Sequence, residues 1–200
     1  MNGTIEKAFH EAYRLHQGMN GLREDIHVMP IRTEAEKYEL VQFLIRNMNQ
    51  GIEFAKRNSK IEALQGCVLI SEAMVAIVKC GLEFSQEMQN QRFFAVIDAS
   101  QSFQGAMMIT LPEKNSTLFV NYLVTTPQNI VNSEQKIKGI GALLILEAAR
   151  VALVFGNKSL KLNSFSRGCY SFYEGLGFEG KSGLYTLRKE RFFQLLRHIA

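Results

Sequence analysis

The sequence predicts an α+β domain, bordering on α/β, in which helices flank a mixed, mostly antiparallel sheet. Three observations point there. Two long helical periodicities, roughly 34–57 and 60–81, come before any run of strands. From Arg92 the pattern changes to the strands Phe93–Asp98, Gly105–Leu111 and Thr117–Thr125, rich in Val, Ile, Phe and Tyr. A helix opened by Gly139 and Gly141 follows, and after it short strands and helices alternate.

Taken in order, residues 4–17 read as an amphipathic helix, with Ile5, Ala8, Phe9, Ala12 and Tyr13 on one face and Thr4 as N-cap. Ile26–Ile31 is a short strand, and Pro30 places it at an edge because it cannot donate to a ladder. Thr33 and Glu36 form a capping box for the helix over 34–57, whose inward face carries Leu40, Phe43, Leu44, Met48, Ile52 and Ala55. Asn58 and Ser59 break it, and Ser59 with Glu62 makes a second capping box. The next helix is nearly apolar all round from Cys67 to Val78, so deep burial is expected; Gly81 ends it.

The polar connections Ala99–Phe103 and Glu113–Ser116 make the three strands an antiparallel meander. Ile140, Leu143, Leu144, Ala148, Val151 and Phe155 recur at helical spacing up to Gly156. Ser159–Ser164 is a strand, Arg167–Leu176 a short helix and Gly183–Arg188 a last strand. Residues 189–199 read as a C-terminal amphipathic helix. With no linker visible, 1–200 is expected to be one domain: a helical extension (1–24), a strand and helical pair (25–90), a core (91–188) and the C-terminal helix (189–200).

Composition narrows the class. A chain of 200 residues, 46% hydrophobic and 21% charged, suits a soluble globular protein. Twenty-three Lys and Arg against 19 Asp and Glu is a mild excess that suits an anionic ligand without arguing for nucleic acid. Three dispersed cysteines without Cys-x-x-Cys favour a reducing, cytoplasmic setting. The four histidines join no cysteine at ligand spacing, so no metal is expected. The window 66–82 is interrupted by Glu72 and Lys79 and is too short to span a bilayer.

Lys136–Arg150 holds the clearest chemistry. Glycines at a helix mouth leave first-turn N–H groups bare, and those donors with the helix dipole suit a phosphate or pyrophosphate. Lys136 and Lys138 add cations there. The dinucleotide fingerprint would need a third glycine where Leu144 stands, and the P-loop's Gly-Lys-Ser/Thr is absent. A tight, closely packed turn explains the two glycines equally well when they are taken alone.

Two motifs in this order resemble the GNAT family of acyl-CoA-dependent N-acyltransferases. The first is Leu123-Val124-Thr125-Thr126-Pro127 leading to Lys136-Ile137-Lys138-Gly139-Ile140-Gly141-Ala142. The second is Leu160-x-Leu162 leading to Ser166-x-x-Cys169-x-x-Phe172-Tyr173-Glu174-x-Leu176-Gly177-Phe178. The resemblance covers about residues 90–188. It implies acetyl-CoA as acyl donor, with its pyrophosphate on the N–H groups of 138–142 and its pantetheine amides paired along Leu123, Val124 and Thr125. Phe172 and Tyr173 would line the thioester. Tyr173 would protonate the departing thiolate, the N–H of Val124 or Thr125 would hold the oxyanion, and Ser166 would cap the short helix.

The acceptor would be an amine, on a small molecule or a protein; nucleic acid enters only as an aminoacyl-tRNA, and a homodimer stays open. A non-catalytic acyl-CoA-binding or interaction module on the same scaffold is the alternative. Four features depart from the family pattern. Lys136 replaces Gln or Arg, and Cys169 replaces Ala as a packing residue. The loop after Pro127 is long and reads as an exposed excursion over 128–135 that folding does not require. The strand 117–125 has Phe119 and Asn121 where many relatives place a carboxylate, leaving a water chain, a residue of the N-terminal half, or no base at all.

Overall fold

The structure, a computed structural model, describes residues 26–57, 61–83, 90–111, 117–131, 139–164, 167–192 and 195. The expected helix over 4–17, the connection 113–116 and most of 189–199 lie outside them, as do Ser59, Lys136, Ile137, Lys138 and Ser166.

Seven strands form one sheet in the order β1-β2-β3-β4-β5-β7-β6. They are β1 (His27–Ile31), β2 (Gln91–Ile97), β3 (Phe103–Thr110), β4 (Thr117–Thr125), β5 (Ser159–Asn163), β6 (Glu179–Lys181) and β7 (Leu184–Arg188). Only β4 and β5 run parallel. The first strand is at an edge, as Pro30 requires. Sequence had missed β6, which is three exposed residues long. Its turn to β7 is legible afterwards: Ser182 and Gly183 both have positive φ, the demand of a tight two-residue hairpin.

Two layers of helix enclose the sheet because its central strands are apolar on both faces. Phe94, Val96, Met107 and Ile109 face α4 (Ile140–Val154). Phe93, Ala95, Ala106 and Met108 face α1 (Glu34–Ala55) and α2 (Ile61–Glu83). The sign of the pleat thus assigns each strand residue to one of two cores.

At the start of α1 the capping box forms as expected, with Thr33 Oγ1 accepting from Glu36 N at 3.1 Å and Glu36 Oε2 accepting from Thr33 N at 2.7 Å. Its buried face, however, turns from Leu40, Phe43 and Leu44 to Asn47 and Gly51, leaving Ile52 exposed. The reason is the crossing with α2: a Cβ on Gly51 would lie 2.7 Å from Val68 Cγ2. The expected all-round burial of α2 is also corrected. Leu64, Cys67, Ser71, Met74 and Val78 are buried while Leu69 is 62% exposed, because α2 is an outer-layer helix with one inward face.

Beyond β4, the expected exposed excursion begins instead as a packed turn of helix, α3 (Pro127–Ile130). Proline at its first position has a preset φ and needs no N–H partner. Pro127 and Val131 are buried, and Ile130 packs on the core beneath α1 and α2. Shortening this stretch should therefore destabilise the protein. Val131→Asp puts a carboxylate at a buried position and should cost about 3 kcal/mol, lowering the melting temperature by roughly 6–12 °C. An unchanged midpoint would show Val131 to be dispensable.

Candidate functional site

The site begins with a fault in the sheet. Strands β4 and β5 pair only from Thr117–Ser159 to Val120–Leu162. At that point the β3 ladder slips, with Met108 opposite Tyr122 and Ile109 opposite Val120, so Asn121 has no opposite residue. An extra residue of this kind bends a strand and reverses its faces. Leu118 and Val120 accordingly belong to the core under α4, whereas Tyr122 and Val124 belong to that under α1 and α2. Beyond Asn121 β4 resumes its pairing with β3 at Tyr122, and no pairing with β5 continues.

Register decides which backbone groups face this opening. Thr126 N donates to Gln104 O at 3.1 Å, so the alternate pair Val124–Ala106 is the next hydrogen-bonded one. Leu123 and Thr125 then turn their N–H and C=O groups away from β3. Of the two backbone donors left open by sequence, the one at Thr125 faces the opening and the one at Val124 faces β3. The Thr125 carbonyl is already engaged by Asn47 Nδ2 at 3.3 Å and Cys67 Sγ at 3.5 Å. Among the described residues the N–H of Thr125 and both groups of Leu123 remain as a strand edge.

Neither Asn47 nor Cys67 was a sequence candidate. Asn47 is 1% exposed, and the buried polar position within an amphipathic period was the available signal. Burial pushes the Cys67 thiol from 9.0 up to about 12. The unfolded thiol ionises above pH 9.0 and the folded one only near 12, so stability should fall by about 1.4 kcal/mol per pH unit across that window. Denaturant titrations of Cys67→Ala should show a shallower alkaline slope; an identical slope would assign the loss to other groups.

On the opposite face, α4 starts beside the opening. Gly139 is its N-cap in the left-handed region, φ 90°, where a side chain is strained. Among the described residues no side chain caps this mouth, and Leu143 N bonds within the helix to Gly139 O at 2.9 Å. The N–H groups of Ile140, Gly141 and Ala142 precede it, which is the arrangement that suits an anion. Among the described residues beyond its own helix and chain neighbours, no atom stands within 4 Å of the Cβ position at Gly139, whereas at Gly141 the Phe172 ring stands at 3.2 Å. Gly141 thus has a packing reason as well as an anion-binding one.

The expected short helix is a 3₁₀ turn, Arg167–Cys169, running into α5 (Tyr170–Gly175). Tyr173 is 8% exposed, with Phe172, Phe178 and Tyr185 rings centred 5.1, 5.9 and 5.5 Å away. Burial foremost, then Cys169 and Tyr185, raises the phenol above its usual 10.0, so it stays a proton donor. Structure therefore brings the Phe172 ring against the α4 mouth at Gly141, with Tyr173 behind that ring, while Lys136, Ile137, Lys138 and Ser166 lie outside the described residues. On β4, Phe119 is 45% exposed, and Asn121 Oδ1 accepts from Thr110 Oγ1 at 2.8 Å.

A mixed sheet with α4 crossing from β4 to its parallel neighbour β5 is the architecture of GNAT acetyltransferases, and the chain has that fold. A GNAT-family protein of Desulfovibrio desulfuricans superposes with a TM-score of 0.57 at 12% identity, over 82% of this chain and 99% of its own. A GNAT acetyltransferase of Staphylococcus aureus gives 0.54 at 13%, over 82% and 99%. A variant of the spermidine N-acetyltransferase SpeG of Vibrio cholerae gives 0.54 at 14%, over 84% and 95%. No protein-family model and no curated protein matches the chain. Among the described residues no helix is long and apolar enough to cross a membrane.

Proposed function

We propose that the protein is a cytoplasmic N-acetyltransferase that moves an acetyl group from acetyl-CoA to a primary amine. The observation that carries this reading is the free strand edge of Leu123 and Thr125, set beside the uncapped, Gly139-opened mouth of α4 within a GNAT fold. The edge offers backbone partners to the two pantetheine amides, and the mouth offers N–H groups to the pyrophosphate.

Acetyl-CoA supplies an activated thioester, so no covalent enzyme intermediate is needed. Thr125 N–H, on the strand edge, is the donor for the developing oxyanion. Tyr173 keeps its proton until the thiolate leaves and then delivers it. The protonated amine releases one proton to solvent before attack. The proton lost as the amide forms restores the one Tyr173 gives to the thiolate, so amide, free CoA thiol and one proton are produced. A thermal shift with CoA tests the binding half, because a ligand that binds only the folded state raises the midpoint. Thiol release with a panel of amines tests the transfer.

Phe119 and Asn121, in place of a carboxylate on β4, favour a second reading: an acyl-CoA-binding module without turnover. A CoA-dependent shift without thiol release from any amine would select it.

A further inference from the structure

We propose that Asn47 and Cys67 are positioning residues for the transfer step, holding Thr125 so that its N–H is aimed at the acetyl carbonyl of the donor. This rests on the N-acetyltransferase reading. The need for such residues follows from the fault in the sheet. Past the Val120–Leu162 pair no β5 residue pairs with β4, so Thr125 keeps a neighbouring strand on one side only. In an extended strand the N–H and C=O of one residue point the same way, here away from β3. Whatever fixes the direction of the Thr125 carbonyl therefore fixes that of its N–H.

Two side chains do this from two helices. Asn47 Nδ2 on α1 donates to Thr125 O at 3.3 Å, and Cys67 Sγ on α2 lies 3.5 Å from the same oxygen. A carbonyl oxygen has two lone pairs, and one donor from each helix takes up both. Asn47 and Cys67 are buried, so neither side chain is free to swing out to water. Burial also keeps the thiol protonated, as it must be to donate.

The next turn of α1 holds the chain beyond Thr125. Gln50 Oε1 accepts from Gln128 Nε2 at 3.2 Å, and the Cβ position of Gly51 lies 4.0 Å from Pro127 Cγ. Helices α1 and α2 thus stand in for the missing strand, with one difference. A neighbouring strand would take the Thr125 N–H along with the carbonyl, because a ladder uses both. The Asn47 and Cys67 donors engage the carbonyl and leave the N–H to a ligand.

The measurement is the infrared stretch of the thioester carbonyl in protein-bound acetyl-CoA, isotope-labelled at that carbonyl, beside calorimetric titration of free CoA. Free CoA has no acetyl carbonyl, so its affinity reports the strand edge and the α4 mouth without the donor N–H. In wild type the aimed N–H should lower the stretch below that of acetyl-CoA in buffer. Asn47→Ala should return it towards the buffer value while CoA affinity stays within about twofold. Cys67→Ala should do so in part, and Cys67→Ser, which keeps a donor, should restore the wild-type stretch. A wild-type stretch in Asn47→Ala would overturn the proposal. Should that variant not fold, equal stretches in Cys67→Ala and Cys67→Ser would overturn it instead. So would a wild-type stretch equal to that in buffer, since no donor is then aimed. Free CoA affinity falling in step with the change in stretch would make both residues supports of the strand edge, which also overturns the positioning role. A wild type that binds neither CoA nor acetyl-CoA would overturn the parent reading, and this one with it.

Discussion

Tyr173→Phe should lower turnover about a hundredfold and leave CoA affinity and folding unchanged, the expected loss for a well-placed general acid. The substitution removes one hydroxyl and keeps the ring that packs on Phe172, Phe178 and Tyr185. Burial holds the wild-type phenol neutral in the folded protein above its usual 10.0, while the unfolded chain ionises there. That difference stabilises the fold below pH 10 and is lost as pH rises beyond it, so the Phe variant should resist alkaline denaturation better. Single-turnover thiol release and alkaline unfolding curves read the two effects separately. Unchanged turnover with a shifted alkaline limb would make Tyr173 a core residue only.

The elements themselves were legible because each rests on a local pattern. Thr33 and Glu36 mark a helix start, the Val, Ile and Phe runs mark strands, and Gly139 marks the mouth of α4. Positions fixed by encounter between distant segments were not legible. Asn47 is polar within an apolar period, and only the carbonyl of Thr125, left without a strand partner, explains it. Gly51 is a helix-weakening residue until Val68 crosses it. Pro127 reads as the end of a strand and is also the start of α3, since both states suit its φ. The slip at Asn121 leaves no mark in composition, yet it opens the sheet.

Glu62 shows the same limit from the other side. Its spacing from Ser59 marks a helix start, but it gives no sign of the contact 105 residues away, where Oε1 accepts from Arg167 N. A local motif states what a side chain can do within its own turn. A hydrogen bond from a distant backbone N–H is decided by the packing of α2 over the sheet.

Gly141→Asp should abolish most CoA binding, by a hundredfold or about 2.7 kcal/mol, through two separable causes. The first is charge. A carboxylate in the first turn takes up the N–H groups and dipole that would otherwise serve the pyrophosphate, and repels it at short range. The second is space. The new Cβ would stand 3.2 Å from Phe172 Cζ, so the ring beside Tyr173 must move by a few tenths of an ångström. Gly141→Ala carries the second cause without the first. It also replaces glycine inside a helix, which offsets part of the crowding, so its stability should stay within about 1 kcal/mol of wild type. If the mouth binds phosphate, Ala should bind CoA with a modest loss and Asp with the full one, and raising salt should weaken wild-type binding. Equal losses in both variants would mean that Phe172 packing, not anion binding, is what requires glycine at this position. Wild-type CoA affinity in a folded Asp variant would remove α4 from the phosphate site altogether.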